Sequence, residues 1–380
     1  MKGSYYTKRY SNSFERIGID EGTVLKRLDS IFDTLFYGSE DERIYHPVGE
    51  DMGYMEDTGN IDARTEGMSY GMMFCVQMDK QEEFDCIWKW SKTYMYMDEG
   101  TGAGYFAWSV DPSGVKNAYG PAPDGEEFFA MALILASHRW GDKEGIFNYS
   151  HEAKELLHTM IHKEDEPGNG RNMWDLGNGL IRFIPEVDFT DPSYHLPHFY
   201  ELFSENCYPE DSAFYKKAAN ASREYLHLAC DEKTGMSPEY SHYDGSPYLP
   251  REPFGRHDWF YSDAYRTIPN MVIDQIWFGT DEWQKDNIYK LQKFLDGKIS
   301  ADHGEVYLTD GTKIEGTDAL HPVGLLASVA EGSAVTDGEL SDKYLKLIWD
   351  MPLRTGVRRY YDNCLYFFAF LALSGRYRIY

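Results

Sequence analysis

Six stretches of this 380-residue chain are apolar nearly all the way round a helix, and nothing else in the sequence restricts its fold so tightly. They begin near Thr65, Gly125, His195, Ser262, Asp318 and Tyr361, with almost unbroken apolar centres at 68–76, 128–136, 323–329 and 365–373. A helix without a polar face has to be covered on every side. Six stretches of another kind lie between them. Val24, Leu25, Leu28, Ile31, Phe32, Leu35 and Phe36 form one apolar stripe, with Lys26, Arg27 and Asp29 opposite, the spacing of an amphipathic helix. Similar Lys-bearing segments start near Gln81, Ser150, Ser212, Asp281 and Ser341. The alternation returns at roughly 60 residues with little similarity of letters, so the repeat lies in the pattern. It predicts an all-α (α/α)6 barrel, with six apolar helices inside and six amphipathic ones outside. Strand-like pieces at 104–110 and 305–308 are too short and scattered for a large sheet. No low-complexity stretch or Pro/Ser linker divides the chain, so one domain over 1–380 is expected.

The starts of the apolar helices share a chemistry. Glu66, Asp124, Tyr194, Asp263, Asp318 and Tyr360 stand there, and in such a barrel those ends converge on one mouth. Carboxylates beside aromatics suit a polyhydroxylated ligand, whose C–H faces stack on rings while its hydroxyls donate to charged acceptors. Several partners are excluded. A net charge of −26 without a basic block opposes nucleic acid, which requires clustered Lys and Arg, and an anionic membrane surface. The longest apolar runs are about half a bilayer span. The first residues, MKGSYYTKRYSNSFERIG, hold no apolar leader core, and the five cysteines include no CxxC pair. A reduced, cytoplasmic protein is the expectation. The oligomeric state is not legible.

Several local patterns admit two readings. Gly67-Met-Ser69-Tyr-Gly71 matches the GxSxG nucleophile elbow, but that motif follows a hydrophobic strand and GNIDARTE is not one. On a helix the same small residues permit close packing, and Glu66 becomes a first-turn acid, ordinarily a partner of the helix dipole. Asp124 and Glu127 have the spacing of a capping box, and Asp263 reads as another first-turn acid. Three such acids at one end of three inner helices are the stock that glycoside hydrolysis requires, one carboxylic acid for the leaving oxygen and one carboxylate for the nucleophile. His158 and His162 stand at i, i+4, a spacing that binds zinc. No third ligand is visible in sequence, so they read as a solvated helix face and no metal is expected. Trp88, Trp90 and Trp174 read as core. Trp108 and Trp259, in loops leading to acidic helix starts, are the candidates for stacking.

Arg-Thr-Glu66-Gly-Met-Ser-Tyr-Gly-Met, Ala-Pro-Asp124-Gly-Glu-Glu, Asp-Pro-Ser-Tyr194 and Tyr-Ser-Asp263-Ala-Tyr-Arg266, in this order, resemble the family 8 glycoside hydrolases from about Asp62 onward. The resemblance implies an (α/α)6 barrel that hydrolyses β-1,4-linked glycans with inversion and without cofactor or metal. It implies Glu66 as general acid and Asp263 as general base. Asp124 would hold and distort the sugar at −1, with Trp108 lining that subsite. Tyr194, or alternatively Tyr200, would help Asp263 orient water, and Arg266 would keep Asp263 ionised. Leu320-His321-Pro322 resembles the loop of the reducing-end xylose-releasing exo-oligoxylanases, which walls off the cleft beyond +1. The expected substrate is therefore a xylo-oligosaccharide. The alternatives are an endo-acting xylanase, glucanase or chitosanase, and a non-catalytic oligosaccharide-binding barrel.

Overall fold

A computed structural model describes residues 2–380. Twelve helices alternate as the hydrophobic pattern requires. The odd-numbered ones are outer: α1 (Glu21–Tyr37), α3 (Gln81–Trp90), α5 (Tyr149–His162), α7 (Ser212–Ala229), α9 (Trp283–Leu295) and α11 (Glu339–Asp350). The even-numbered ones are inner: α2 (Thr65–Met78), α4 (Pro123–Trp140), α6 (Pro197–Asn206), α8 (Thr267–Trp277), α10 (Pro322–Glu331) and α12 (Arg359–Leu373). Every residue of α12 is buried, whereas α1 buries only the stripe Val24, Leu28, Ile31, Phe32, Leu35 and Phe36.

Helix starts follow local chemistry. The Asp20 side chain accepts the Thr23 backbone N–H and caps α1. Inner helices α4, α6 and α10 each open on a proline, whose fixed φ suits the first helical position and whose missing N–H is not needed there. Along the axis, Tyr70, Phe128, Phe199 and Phe368 pack edge to face, with centroids about 5 Å apart. This aromatic plug is the floor beneath the mouth. At the other end the C-terminal tail crosses the ring, where Arg378 exchanges backbone bonds with the Gln77 side chain and the Tyr377 carbonyl accepts from the Trp277 indole.

The ring closes between its last and first inner helices. A Cβ on Gly67 would lie 2.6 Å from the Tyr360 hydroxyl, so only glycine lets α12 approach α2 this closely. Gly125 does the same for α4, where a Cβ would meet the Thr65 side chain at 2.4 Å. Both glycines adjoin a mouth carboxylate.

Two expected helix starts shift. The fifth inner helix opens at Pro322, not Asp318, which ends the strand Lys313–Asp318. That strand pairs antiparallel with Glu305–Leu308, which pairs antiparallel with Trp259–Phe260, registering Trp259 on Leu308 and Phe260 on Tyr307. Asp318 is exposed there, 3.4 Å from His303 Nδ1, and does not reach the mouth. The fourth inner helix is preceded by a 3-10 turn, Ser262–Arg266, that carries Asp263.

Candidate active site

One guanidinium organises the mouth. Arg266 Nη1 donates to Glu66 Oε2 and to Asp124 Oδ2, both at 2.8 Å, and lies 3.2 Å from the Tyr70 hydroxyl. Its Nη2 stands 3.4 Å from Asp263 Oδ1 and 3.9 Å from Asp191 Oδ2. The Tyr194 ring lies under the guanidinium, 5.5 Å to its centroid. Arg266 therefore serves four carboxylates, and its shorter bonds go to Glu66 and Asp124 rather than to Asp263, the partner expected from sequence.

Glu66 sits in the first turn of α2 with its side chain 16% exposed. Its Oε1 accepts from Tyr360 at 2.7 Å. Burial pushes its carboxyl up to about 7, the Asp124 and Asp263 charges adding to the effect and outweighing Arg266 and Tyr360. That is an acid protonated near neutrality. Ser69 is fully buried and donates to the Glu66 carbonyl at 2.9 Å on the same helix, so it is not a nucleophile on an elbow.

The acidic run opening α4 divides its labour, and the capping box does not form. Ala122 is the N-cap and Asp124 lies two residues inside, its Oδ1 accepting only the neighbouring Gly125 N–H at 2.9 Å while Oδ2 takes Arg266. Glu126 accepts the Phe106 N–H at 2.9 Å, anchoring the loop that carries Trp108. Glu127 accepts the Tyr200 hydroxyl at 2.5 Å instead of turning back to the cap. That bond, with a second from Tyr200 to the Tyr194 carbonyl at 3.0 Å, holds Tyr200 inside the barrel. Tyr194, not Tyr200, lines the mouth.

Asp263 is held from both sides of its turn. Ser262 has φ +31°, a strained left-handed conformation for a residue with a side chain, and its carbonyl accepts the Tyr361 hydroxyl at 3.0 Å. The Asp263 N–H donates to Glu239 Oε1 at 3.4 Å, while Glu239 Oε2 accepts from Trp259 Nε1 at 2.6 Å and His257 Nδ1 at 2.9 Å. Trp259 is thus a prop for Glu239 and lines neither lobe of the mouth.

The mouth has two lobes that meet at Glu66 and Asp263. The larger, 370 Å³, is lined by Trp108, Asp124, Phe183, Tyr194, Tyr240 and Arg266 among others. Trp108 is 37% exposed, stacks beneath Arg64 at 5.2 Å, and gives its carbonyl to Thr65 N–H at 3.0 Å. The smaller, 210 Å³, is lined by Asn60, Leu320, His321, Arg358, Tyr360 and Tyr361. His321 Nδ1 lies 3.0 Å from Asp362 Oδ2, which orients the ring and leaves Nε2 for a ligand. The Leu320 carbonyl accepts from Arg354 at 2.8 Å, pinning a side chain 39% exposed. Pro322 lines neither lobe and opens α10 instead.

Sequence reasoning missed two acids. Asp191 is fully buried, with Oδ1 accepting Ser193 N–H at 2.7 Å and Oδ2 facing Arg266 at 3.9 Å without a hydrogen bond. Glu239 is 3% exposed, and burial pushes it to about 7. Asp191 belongs to the Asp-Pro-Ser-Tyr block and its fixed spacing from Tyr194 was a usable signal. Glu239 carried none.

Carboxyl groups of unlike environment, facing one another across a cleft lined with rings at the open end of a helical toroid, define an acid/base glycosidase. The chain belongs to the glycosyl hydrolases family 8, whose model matches residues 51–375. It is 52% identical over 380 residues to the reducing end xylose-releasing exo-oligoxylanase of Halalkalibacterium halodurans, covering 100% of this chain and 96% of that one. It is 47% identical over 372 residues to the enzyme of that name from Bifidobacterium adolescentis, covering 96% of each. The structure of Rex8A from Paenibacillus barcinonensis, complexed with xylose, superposes with a TM-score of 0.97 at 51% identity over 100% of both chains.

Proposed function

We propose that this chain releases single xylose units from the reducing end of β-1,4-xylo-oligosaccharides by inverting hydrolysis. The observation that carries the reading is the short lobe beyond the acid, closed by the Leu320–His321 wall. A sugar bonded to the Glu66-activated oxygen occupies it as +1, and the wall excludes a +2 residue. His321 Nε2 is available to the free anomeric hydroxyl, a group that an internal sugar lacks.

In this reading Glu66, protonated near neutrality by its burial, donates to the glycosidic oxygen. Asp263 takes a proton from the water attacking the opposite face of the −1 xylose, whose ring stacks on Trp108. Asp124, held by Arg266, grips and distorts the −1 sugar, and Tyr194 shares in orienting the water. Inverting pairs stand about 6.5–9.5 Å apart to admit that water, the separation this reading requires of Glu66 and Asp263. Atoms balance without a cofactor: water is consumed, and the base ends protonated as the acid ends ionised. An intracellular place belongs to the same proposal, resting on cysteines with no paired spacing.

Digestion of xylotriose and xylotetraose carrying a reducing-end label is the test. The expected products are labelled xylose and an unlabelled oligomer one unit shorter. Labelled products longer than one sugar overturn exo action and leave an endo-acting family member. No cleavage overturns the xylan reading.

A further inference from the structure

We propose that His158, His162 and Asp211 form a divalent transition-metal site of the zinc class, stapling outer helix α5 to the start of outer helix α7. The histidines follow one another by one turn on α5, and their rings stack at 4.0 Å and 25°. The third ligand, absent from any local pattern, comes from 49 residues further on. Asp211 occupies the N-cap position of α7 but makes no side-chain bond to its own helix. Its carboxylate turns to the histidines instead, Oδ2 at 2.8 Å from His158 Nδ1 and Oδ1 at 2.7 Å from His162 Nε2. An aspartate at an N-cap ordinarily bonds its own helix, and Asp211 gives that up for the imidazoles.

The surroundings match a metal centre. Asp211 is 2% exposed, while the His158 and His162 side chains are 40% and 30% exposed, giving a fixed inner ligand and two outer ones with a route from solvent. His162 Nδ1 lies 2.6 Å from Asp165, the carboxylate partner that metal-bound histidines generally have on their second nitrogen. The three ligand atoms lie within 4.8 Å of one another. Bonds of about 2.0–2.1 Å in a tetrahedral site separate ligands by about 3.3 Å, so side-chain shifts of at most about 1.5 Å bring the three ligand atoms to that spacing. Two imidazoles and one carboxylate suit zinc, nickel or copper, and not magnesium or calcium, which take oxygen ligands. Binding displaces the proton between each ring and Asp211, and water completes the fourth position. None of these residues lines the mouth.

The experiment uses chelator-treated, untagged full-length chain titrated calorimetrically with ZnCl2, beside MgCl2. One zinc per chain is expected, with midpoint unfolding temperature raised by about 3 °C at free zinc a hundredfold above Kd. His158→Ala and His162→Ala are each expected to weaken zinc binding by at least about tenfold, while zinc-free turnover of xylotriose stays at the wild-type level. The proposal is overturned if no saturable binding occurs below about 100 µM, if magnesium binds as well as zinc, or if both histidine variants keep the wild-type Kd, which would assign zinc to Cys86 or the mouth carboxylates.

Discussion

Glu66 has to hold a proton at the pH where its neighbours do not, and burial with two nearby carboxylates achieves this against the pull of Arg266. Two outcomes follow at this scale. Because the protonated form is the active one, kcat/KM for xylotriose is expected to fall on the alkaline side with an apparent pKa about 7, and a flat profile to pH 9 would remove Glu66 from the role. Glu66→Ala should lower turnover of xylotriose by about 10²–10⁴-fold while sparing substrates with good leaving groups, which need little protonation. Comparing xylotriose with an aryl xyloside checks this directly. Residues at this scale were legible where a helix start carried an unusual acid, as with Glu66, Asp124 and Asp263, all of which the fold brings to one mouth. Glu239 was not legible, since nothing in the irregular segment 231–258 marks one acid above its neighbours. Only the tertiary approach of Trp259, His257 and the Asp263 N–H gives it a place.

At the scale of elements, the loop entering α10 matters most. Its Leu320–His321 turn is tied at two points, through the Leu320 carbonyl to Arg354 and through His321 to Asp362, and Arg354 also pairs with Asp362. Arg354 and Asp362 therefore brace the wall without touching the lobe. His321→Ala is expected to raise KM for xylotriose with little change in kcat, since it removes a +1 contact present before and during bond cleavage. Adding Leu320→Ala should yield detectable products longer than xylose from the reducing end. Chromatography of labelled xylotetraose reads both effects. The helices themselves were legible from periodicity, and their starts agree within a few residues except where a 3-10 turn or a polar strand intervened. Lys313–Asp318 is exposed along almost its whole length, so it shows no alternation to betray it, and Asp318 passes for a helix start.

The core of the whole molecule buries charged groups mostly in pairs, as Arg223 does with Glu201 and Asp274, but one buried acid is costly. Glu331, at the end of α10, is fully buried with neither carboxyl oxygen bonded, and burial pushes it up to about 8. In the unfolded chain it titrates near 4.5. Between those values the folded state binds the extra proton, so this group makes stability decline as pH rises, by at most about 1.4 kcal/mol per pH unit. Glu331→Gln should flatten that slope. The variant is expected to melt close to wild type at pH 5 and well above it at pH 8.5, by differential scanning calorimetry. The ring as a whole was the most legible feature, because twelve alternating helices admit few arrangements, whereas the contact that closes it was invisible. Glu66 and Tyr360 are 294 positions apart, and no local pattern joins them. That closure sets an order of events during synthesis. A chain emerging from the ribosome can build the first eleven helices with both carboxyls in place, yet its proton donor lacks its tyrosine, its wall against bulk water and much of its shifted acidity until the final helix docks. Catalytic competence is thus withheld from every incomplete chain, and a digest of xylotriose reports the end of folding rather than its progress.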